Sequence, residues 1–248
     1  MAKTTNVYIK KSRRKRAIKR SLIITILLIV AAIIMANKTS YFNINTILYK
    51  GDSLITGDYV KEAMEEVKGE KIFSLNKIDI IKKIKENPYI DEVQISKKIP
   101  STIEVNINEK KGIYYEKSGE VYNIISSDLH ILEKTNSIEG KKLIELKGLD
   151  VANTEVGQSI GDSERSQKVL DLFYKMEEKM QSEQKGVSIT SLDISDLSNI
   201  KAYFGDVEVK IGNDENLTKK MSDAMNIYIQ AKPQKYINVN FNGSPDFQ

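Results

Sequence analysis

The hydrophobic pattern changes its period along the chain, and the changes mark the boundaries. Residues 21–36 read SLIITILLIVAAIIMA, an uncharged run in which ten of sixteen residues are Leu, Ile or Val. At roughly −0.3 to −0.6 kcal/mol for each of these at a bilayer centre, the run gains about −3 to −6 kcal/mol on insertion. At 1.5 Å per residue it spans about 24 Å, against a hydrocarbon core of about 30 Å. Lys19, Arg20 and Lys38 are placed to snorkel across the difference, and Tyr41 and Phe42 fall where an outer aromatic belt would lie. A cleaved signal peptide has the same outline, but a cut after Ala36 would put Ile34 at the −3 position, where a small residue is preferred. The run therefore reads as an uncleaved anchor.

From residue 43 the periods of strand and helix alternate. A strand over residues 44–49 ends at the turn signal Lys50-Gly51-Asp52-Ser53. Asp58 is placed to N-cap a helix whose Val60, Ala63, Met64 and Val67 share one face, with Gly69 beyond its end. A second helix follows Asn76, with Ile78, Ile81 and Ile84 expected on its buried side, and Asn87-Pro88 stops it. Val93, Ile95 and Ile99 then alternate with polar residues, Pro100 breaks the run, and Ile103, Val105 and Ile107 alternate again. Two one-sided strands with two amphipathic helices make a small α+β unit.

Beyond residue 110 the pattern is mostly of strands, over residues 113–116, 121–125, 129–132 and 143–147. A helix after Asp162 or Ser163 carries Val169, Phe173, Met176 and Met180 along one side and ends at Gly186. Strands follow over residues 189–194, 200–204 and 207–211, and Asn213 or Asp214 is placed to cap a helix bearing Leu217, Met221, Ala224 and Tyr228, closed by Pro233. The last strand covers residues 236–241. Ile237, Val239 and Phe241 fall on one face and Tyr236, Asn238 and Asn240 on the other, so one face can pack while the edge stays available. Phe241 is read equally well as a core residue.

Charge refines this division. The chain of 248 residues has a net charge of +4, but residues 1–20 hold nine basic groups and no acidic one, leaving 29 basic against 34 acidic groups beyond them, a net of −5. By the positive-inside rule the basic end is cytoplasmic and residues 37 onward lie outside. A mildly acidic folded part argues against a nucleic-acid-binding domain, which rests on clustered Lys and Arg.

Candidate chemistry is sparse. The chain has no Cys, which excludes disulfides, Cys-based zinc sites and Cys nucleophiles, and its one histidine, His130, is expected to be a turn or strand residue and rules out multi-histidine metal sites. Glu62, Glu65 and Glu66, like Glu177 and Glu178, are expected on solvated helix faces. Gly205-Asp206 and Gly212-Asn213 are isolated turns, with no phosphate-cradling loop and no calcium-loop spacing. These features call for no cofactor, no metal and no enzymatic activity.

The order of elements, with Asn87-Pro88-Tyr89-Ile90, Val93-Gln94-Ile95 and Ile99-Pro100-Ser101-Thr102-Ile103-Glu104-Val105-Asn106-Ile107-Asn108-Glu109, resembles the POTRA domain of the bacterial FtsQ/DivIB family. The distal half is similar to that family's β domain through residues 207–212, 216–221 and 236–241. Two departures stand out. Lys110-Lys111-Gly112 replaces a proline often found after Glu109, and Ser126-Ser127-Asp128-Leu129-His130 lacks the glycine of an Asp-x-x-Gly turn, which Asp128 is expected to supply alone.

The resemblance implies an α+β fold: a basic cytoplasmic tail (1–20), one transmembrane helix (21–36), a linker (37–42), a β-α-α-β-β POTRA domain (43–110), a mostly antiparallel β domain with flanking helices (111–241) and a C-terminal tail (242–248). It implies a divisome scaffold in the cell membrane at the septum, which binds FtsL and DivIC, the FtsB counterpart, and helps control the septal peptidoglycan synthase complex. The partner would be received at the last strand, by Tyr236, Asn238, Asn240 and Phe241, with Asn242 and Gly243 following. A competing expectation is a POTRA-type chaperone for exported polypeptides, though no run of membrane-barrel strands follows the domain. A wall hydrolase or transferase on a membrane stalk would need the nucleophile, histidine set or metal site that the sequence does not provide.

Overall fold

The computed structural model of the chain describes residues 3–51, 55–151, 153–161, 164–183, 186–240 and 245–248. Helix α1 (Lys3–Lys38) continues through both the basic stretch and the apolar run, as Lys, Arg and Ala are good helix formers. Its window Ile18–Met35 has a mean hydropathy of 2.4 and no residue buried within the chain, so it is long and apolar enough to cross a membrane. The chain divides into two compact units, one of Met1–Ser53, Gly57–Ile84 and Val93–Ile107, the other of Leu54–Thr56, Lys85–Glu92 and Asn108–Gln248.

The first unit is organised by a three-stranded sheet. After a short 3-10 turn at Ser40–Phe42 come β1 (Thr46–Gly51), α2 (Gly57–Glu65), α3 (Lys77–Ile84), β2 (Ile90–Lys98) and β3 (Thr102–Glu109), in the expected β-α-α-β-β order. The strands lie in the order β1-β3-β2, with β1 parallel to β3 from Thr46 opposite Thr102 to Gly51 opposite Ile107. The connection between β2 and β3 contains the cis peptide Ile99–Pro100. Val60, Ala63, Met64 and Val67 are all buried, together with Ile44, Ile72, Leu75, Ile84, Val93, Ile95, Ile103, Val105 and Ile107.

Two expectations fail here. Asp58 stands inside the first turn of α2, bonded to Lys61 at 3.0 Å, and not ahead of the helix as its cap. Ile78 is 75 % exposed, because α3 is only eight residues long and Ile72 and Leu75, which precede it, already fill the core at that end.

The second unit is built on a nine-stranded sheet of β4 (Gly112–Ser118), β5 (Val121–Ser126), β6 (Ile131–Thr135), β7 (Ile144–Lys147), β8 (Ser191–Asp193), β9 (Ile200–Phe204), β10 (Val207–Gly212), β11 (Tyr236–Asn238) and β12 (Asp246–Phe247). Their order is β12-β11-β10-β9-β8-β7-β4-β5-β6. Pairing is mostly antiparallel, with parallel contacts at β4/β7, β7/β8 and β10/β11. Helices α4 (Glu164–Ser182) and α5 (Leu217–Ala231) send Val169, Leu170, Phe173 and Met180, and Leu217, Met221 and Ala224, into a core shared with the strands. Met176 and Tyr228 pack at its margin.

Three further expectations need correction. Neither Asn213 nor Asp214 caps α5: Asp214 is held by Arg165 at 2.6 and 3.0 Å, Asn213 accepts from Lys220 at 2.8 Å, and the helix starts behind Asn216, whose φ is +52°. Glu177 is buried, not solvated, accepting from the Ile189 N–H at 2.9 Å and from Gln181 at 2.8 Å. The expected strand over residues 129–132 begins later, because residues 127–130 are used by the turn out of β5.

Candidate interaction edge

The partner-binding residues inferred from sequence lie around β11. This strand runs parallel to β10, with Glu208, Val209 and Lys210 opposite Tyr236, Ile237 and Asn238, and the Val239 N–H extends the ladder to Lys210 O at 3.0 Å. Ile237 and Val239 are buried in the core, while Tyr236 and Asn238 are half-buried and Asn240 is exposed. The two-sided reading of the strand therefore holds for residues 236–240. Phe241, Asn242 and Gly243 lie outside the described residues.

Specific contacts fix the polar members. Lys210 Nζ sits 4.4 Å from the centre of the Tyr236 ring, and the Tyr236 hydroxyl donates to Asp246 at 3.0 Å. Asn238 Oδ1 accepts from the Asn240 N–H at 3.1 Å, which turns the chain out of the ladder after only three strand residues. Gly212 has a φ of +74°, a conformation that favours glycine, and the space its missing Cβ leaves is taken by the Asn240 side chain.

The edge of β11 is not open, contrary to the expectation from sequence. Residues 246–248 fold back along it, pairing Ile237 with Phe247 and Asn238 with Asp246. The Gln248 carbonyl accepts from the N–H groups of Gln234, Lys235 and Tyr236 at 3.1, 2.7 and 3.2 Å, and the Gln248 N–H donates to Tyr236 O at 3.0 Å. This cover is two strand residues long, and Phe247 remains 47 % exposed. At the opposite side of the sheet, residues 157–160 bond to Leu129 and Ile131 and shield the start of β6. Short or covered edges are how sheets avoid indiscriminate pairing, and β12 is the slighter of these two covers.

Elsewhere the unit offers little for chemistry. A groove of about 970 Å³, lined in part by Lys111, Tyr115, Leu143, Tyr174 and Val187, contains one buried carboxylate, Glu177, already committed to Ile189 and Gln181. His130 lies beside Asp128 and Ser126, but in no catalytic order: Asp128 accepts from Ser126, and the His130 N–H, not its ring, meets Ser126 Oγ at 3.0 Å. Among the described residues no cluster of three His, Asp or Glu side chains could hold a metal ion.

Comparison with known proteins gives this architecture its context. Residues 42–110 match the POTRA domain, FtsQ-type. The cell division protein DivIB of Clostridium botulinum strain Hall is 32 % identical over 98 % of this chain and 96 % of its own length. DivIB of Clostridium acetobutylicum is 33 % identical over 84 % of this chain and 83 % of its own. The chain belongs to the FtsQ/DivIB family of cell-division proteins. DivIB of Bacillus subtilis, 28 % identical over 61 % of the chain and 64 % of its own length, extends the likeness to a more distant member.

The turn where the chain departs from the FtsQ/DivIB glycine pattern is built by side chains. Leu129 takes the left-handed conformation, φ +59°, and is fully buried. Asp128 is held by Lys110 at 2.7 Å as well as by Ser126. Burial raises the Asp128 pKa, but those two hydrogen bonds outweigh it and hold the group below its ordinary value. Glu133 is lowered by its bond to Lys141, partly opposed by burial and aided by the Tyr89 hydroxyl at 2.7 Å. A carboxyl held lower in the folded chain than in the unfolded one adds stability above its unfolded pKa of about 4, and that contribution is lost as the pH falls through the folded value. The urea midpoint of the second unit is therefore expected to fall below about pH 4, and less steeply in Lys110→Met, as followed by circular dichroism.

Proposed function

We propose that the chain is a divisome scaffold which holds other membrane-anchored division proteins by strand addition to β11, and through them helps control septal peptidoglycan synthesis. Helix α1 anchors it, with the basic segment in the cytoplasm and both units outside, in keeping with nine positive charges on one flank of the apolar run. FtsL and DivIC type proteins are the partners, and the septum is the site of action. The role is one of binding, not turnover.

The observation that carries this reading is the slight cover on β11. Two strand residues with a handful of backbone hydrogen bonds occupy the edge of an otherwise well-packed sheet. An incoming strand can reproduce those bonds to residues 234–238 and add side-chain contacts of its own, since main-chain pairing supplies affinity and alternate pockets supply specificity. Tyr236 and Asn238 stand on the strand and Asn240 just beyond it, and Phe241, Asn242 and Gly243 follow in sequence.

The test is capture of DivIC from solubilised membranes by the full-length chain and two variants. Phe241→Asp is expected to weaken capture at least about 30-fold, the scale of an interface aromatic worth 2 kcal/mol. A chain ending at residue 244 is expected to capture at least as well as the parent, because the edge of β11 is then open. Undiminished capture by Phe241→Asp would sink the reading, and loss of capture in the shortened chain would move the site from β11 to β12.

A further inference from the structure

The first unit carries an exposed apolar patch that its own fold does not use. Outside α1, the large apolar side chains most exposed among the described residues of 39–107 are Tyr41, Leu48, Ile55, Phe73, Ile78 and Ile99. Four of these six share one pole. Tyr41 (64 % exposed) precedes β1. Phe73 (52 %) and Ile78 (75 %) flank the start of α3, and Ile99 (64 %) is in the turn between β2 and β3.

Backbone contacts tie the four segments together. The Ile72 N–H donates to Phe42 O at 2.9 Å, the Ile44 N–H to Glu70 O at 2.8 Å, and the Asn45 N–H to Ser101 O at 2.9 Å. Lys97, two residues before Ile99, donates to Phe73 O and Leu75 O at 3.3 and 3.0 Å. The rings of Tyr41, Phe42 and Phe73 follow one another at 5.0 and 5.1 Å between centres. A lone exposed apolar residue is ordinary, but a patch drawn from four segments marks a surface that meets something.

What it meets follows from where α1 ends. Lys38 is the last residue of that helix, and Tyr41 is three residues on, within about 11 Å of extended chain. A bilayer crossed by α1 therefore lies against this pole. Lys38, Lys71, Lys77, Lys97 and Lys98 belong to the same segments, against Glu70, Asp79 and Glu104, the last shared between Lys50 at 2.8 Å and Lys98 at 3.8 Å. Lys71 and Lys97 donate to the carbonyls of Thr39, Phe73 and Leu75, and no salt bridge between either and another described residue accompanies those bonds. Apolar and aromatic side chains together with lysines are the composition of an interfacial lipid contact.

We infer that this pole of the first unit, Tyr41, Phe73, Ile78 and Ile99 with the lysines of their segments, docks onto an anionic bilayer surface beside α1. The docking restricts how the unit leans from its anchor. The inference rests on the reading of α1 as membrane-spanning.

The chain contains no Trp, so single-Trp variants report on one position each. The full-length chain is placed in nanodiscs containing phosphatidylglycerol, with ordinary or brominated acyl chains. Ile78→Trp and Ile99→Trp test the pole, Ile26→Trp serves as reference within α1, and Val156→Trp in the second unit serves as control. Insertion about 5–10 Å into the headgroup boundary brings an indole near the bromines, so emission at positions 78 and 99 is expected to fall by about half, and at position 156 hardly at all. Adding Lys77→Glu and Lys98→Glu to Ile99→Trp is expected to abolish most of that quenching. Quenching at position 26 with none at 78 and 99 beyond the control would overturn the docking while leaving the anchor intact. No quenching at position 26 would overturn the anchor and the docking with it.

Discussion

Gly148→Ala is expected to destabilise the second unit by about 3 kcal/mol or more, lowering its urea midpoint while the first unit's transition stays in place. Gly148 follows β7, with a φ of +93°. A side chain there meets the steric cost of the left-handed region, about 1–2 kcal/mol for an L residue. It also meets backbone: the added Cβ would fall 2.3 Å from Ser195 N and 2.4 Å from its Cα. Ser195 cannot retreat, because its N–H and hydroxyl both bond Asp193 Oδ1, at 3.0 and 2.6 Å, and the neighbouring Ile194 N–H is bound to Lys147 O at 3.0 Å. The β7/β8 pairing lies in the middle of the sheet, so a shift there reaches both flanks. Circular dichroism of the detergent-solubilised chain in urea measures this, and an unchanged midpoint would contradict the geometry.

Phe173→Ala is expected to cost about 3–5 kcal/mol, the range for removing a fully buried ring from a core that cannot collapse around the gap. Phe173 is fully buried on α4, in the cluster that also holds Tyr114, Val169, Leu170 and Met180. Its surroundings are held from two sides. The Tyr114 hydroxyl donates to Leu170 O at 2.8 Å, and Glu177 draws in the Ile189 N–H one turn further along the helix. With native domains stable by only about 5–15 kcal/mol, such a loss takes a large share of the total. Met176→Ala, at the margin of the same core, serves as the comparison and should cost clearly less; equal urea midpoints for the two variants would refute the placement of Phe173.

The two variants also bear on function. A sheet that unfolds loses β11 along with its partner edge, so either variant should depress capture of division partners only as far as it depopulates the fold. Phe241→Asp, by contrast, is expected to lose capture with the circular dichroism spectrum unchanged. The contrast separates a broken scaffold from a broken contact.

The edge of β11 in the second unit and the apolar pole of the first are the two surfaces we propose, and they differ in chemistry. One is backbone at a sheet edge, suited to a strand. The other is apolar and cationic, suited to lipid.

The sequence by itself determined whatever depends on local pattern. The apolar run of α1, the alternation of Ile103, Val105 and Ile107, and the helical spacing of Val60, Ala63, Met64 and Val67 are patterns of the chain, and each reappears as the expected element, the latter two with the expected side buried. Strands β9 and β10 and the run Leu217, Met221 and Ala224 were legible for the same reason. Only the tertiary structure decided matters of competition between distant segments. Ile78 has the right spacing for the core but lost its place to Ile72 and Leu75. Asp214 has the right chemistry for a cap but was taken by Arg165, forty-nine residues away. Glu177 looks solvated until the Ile189 N–H comes to meet it. At the candidate edge, alternation told which side of β11 packs, yet a two-residue strand such as β12 is too short to show any period, and its pairing with β11 was invisible until the chain was folded.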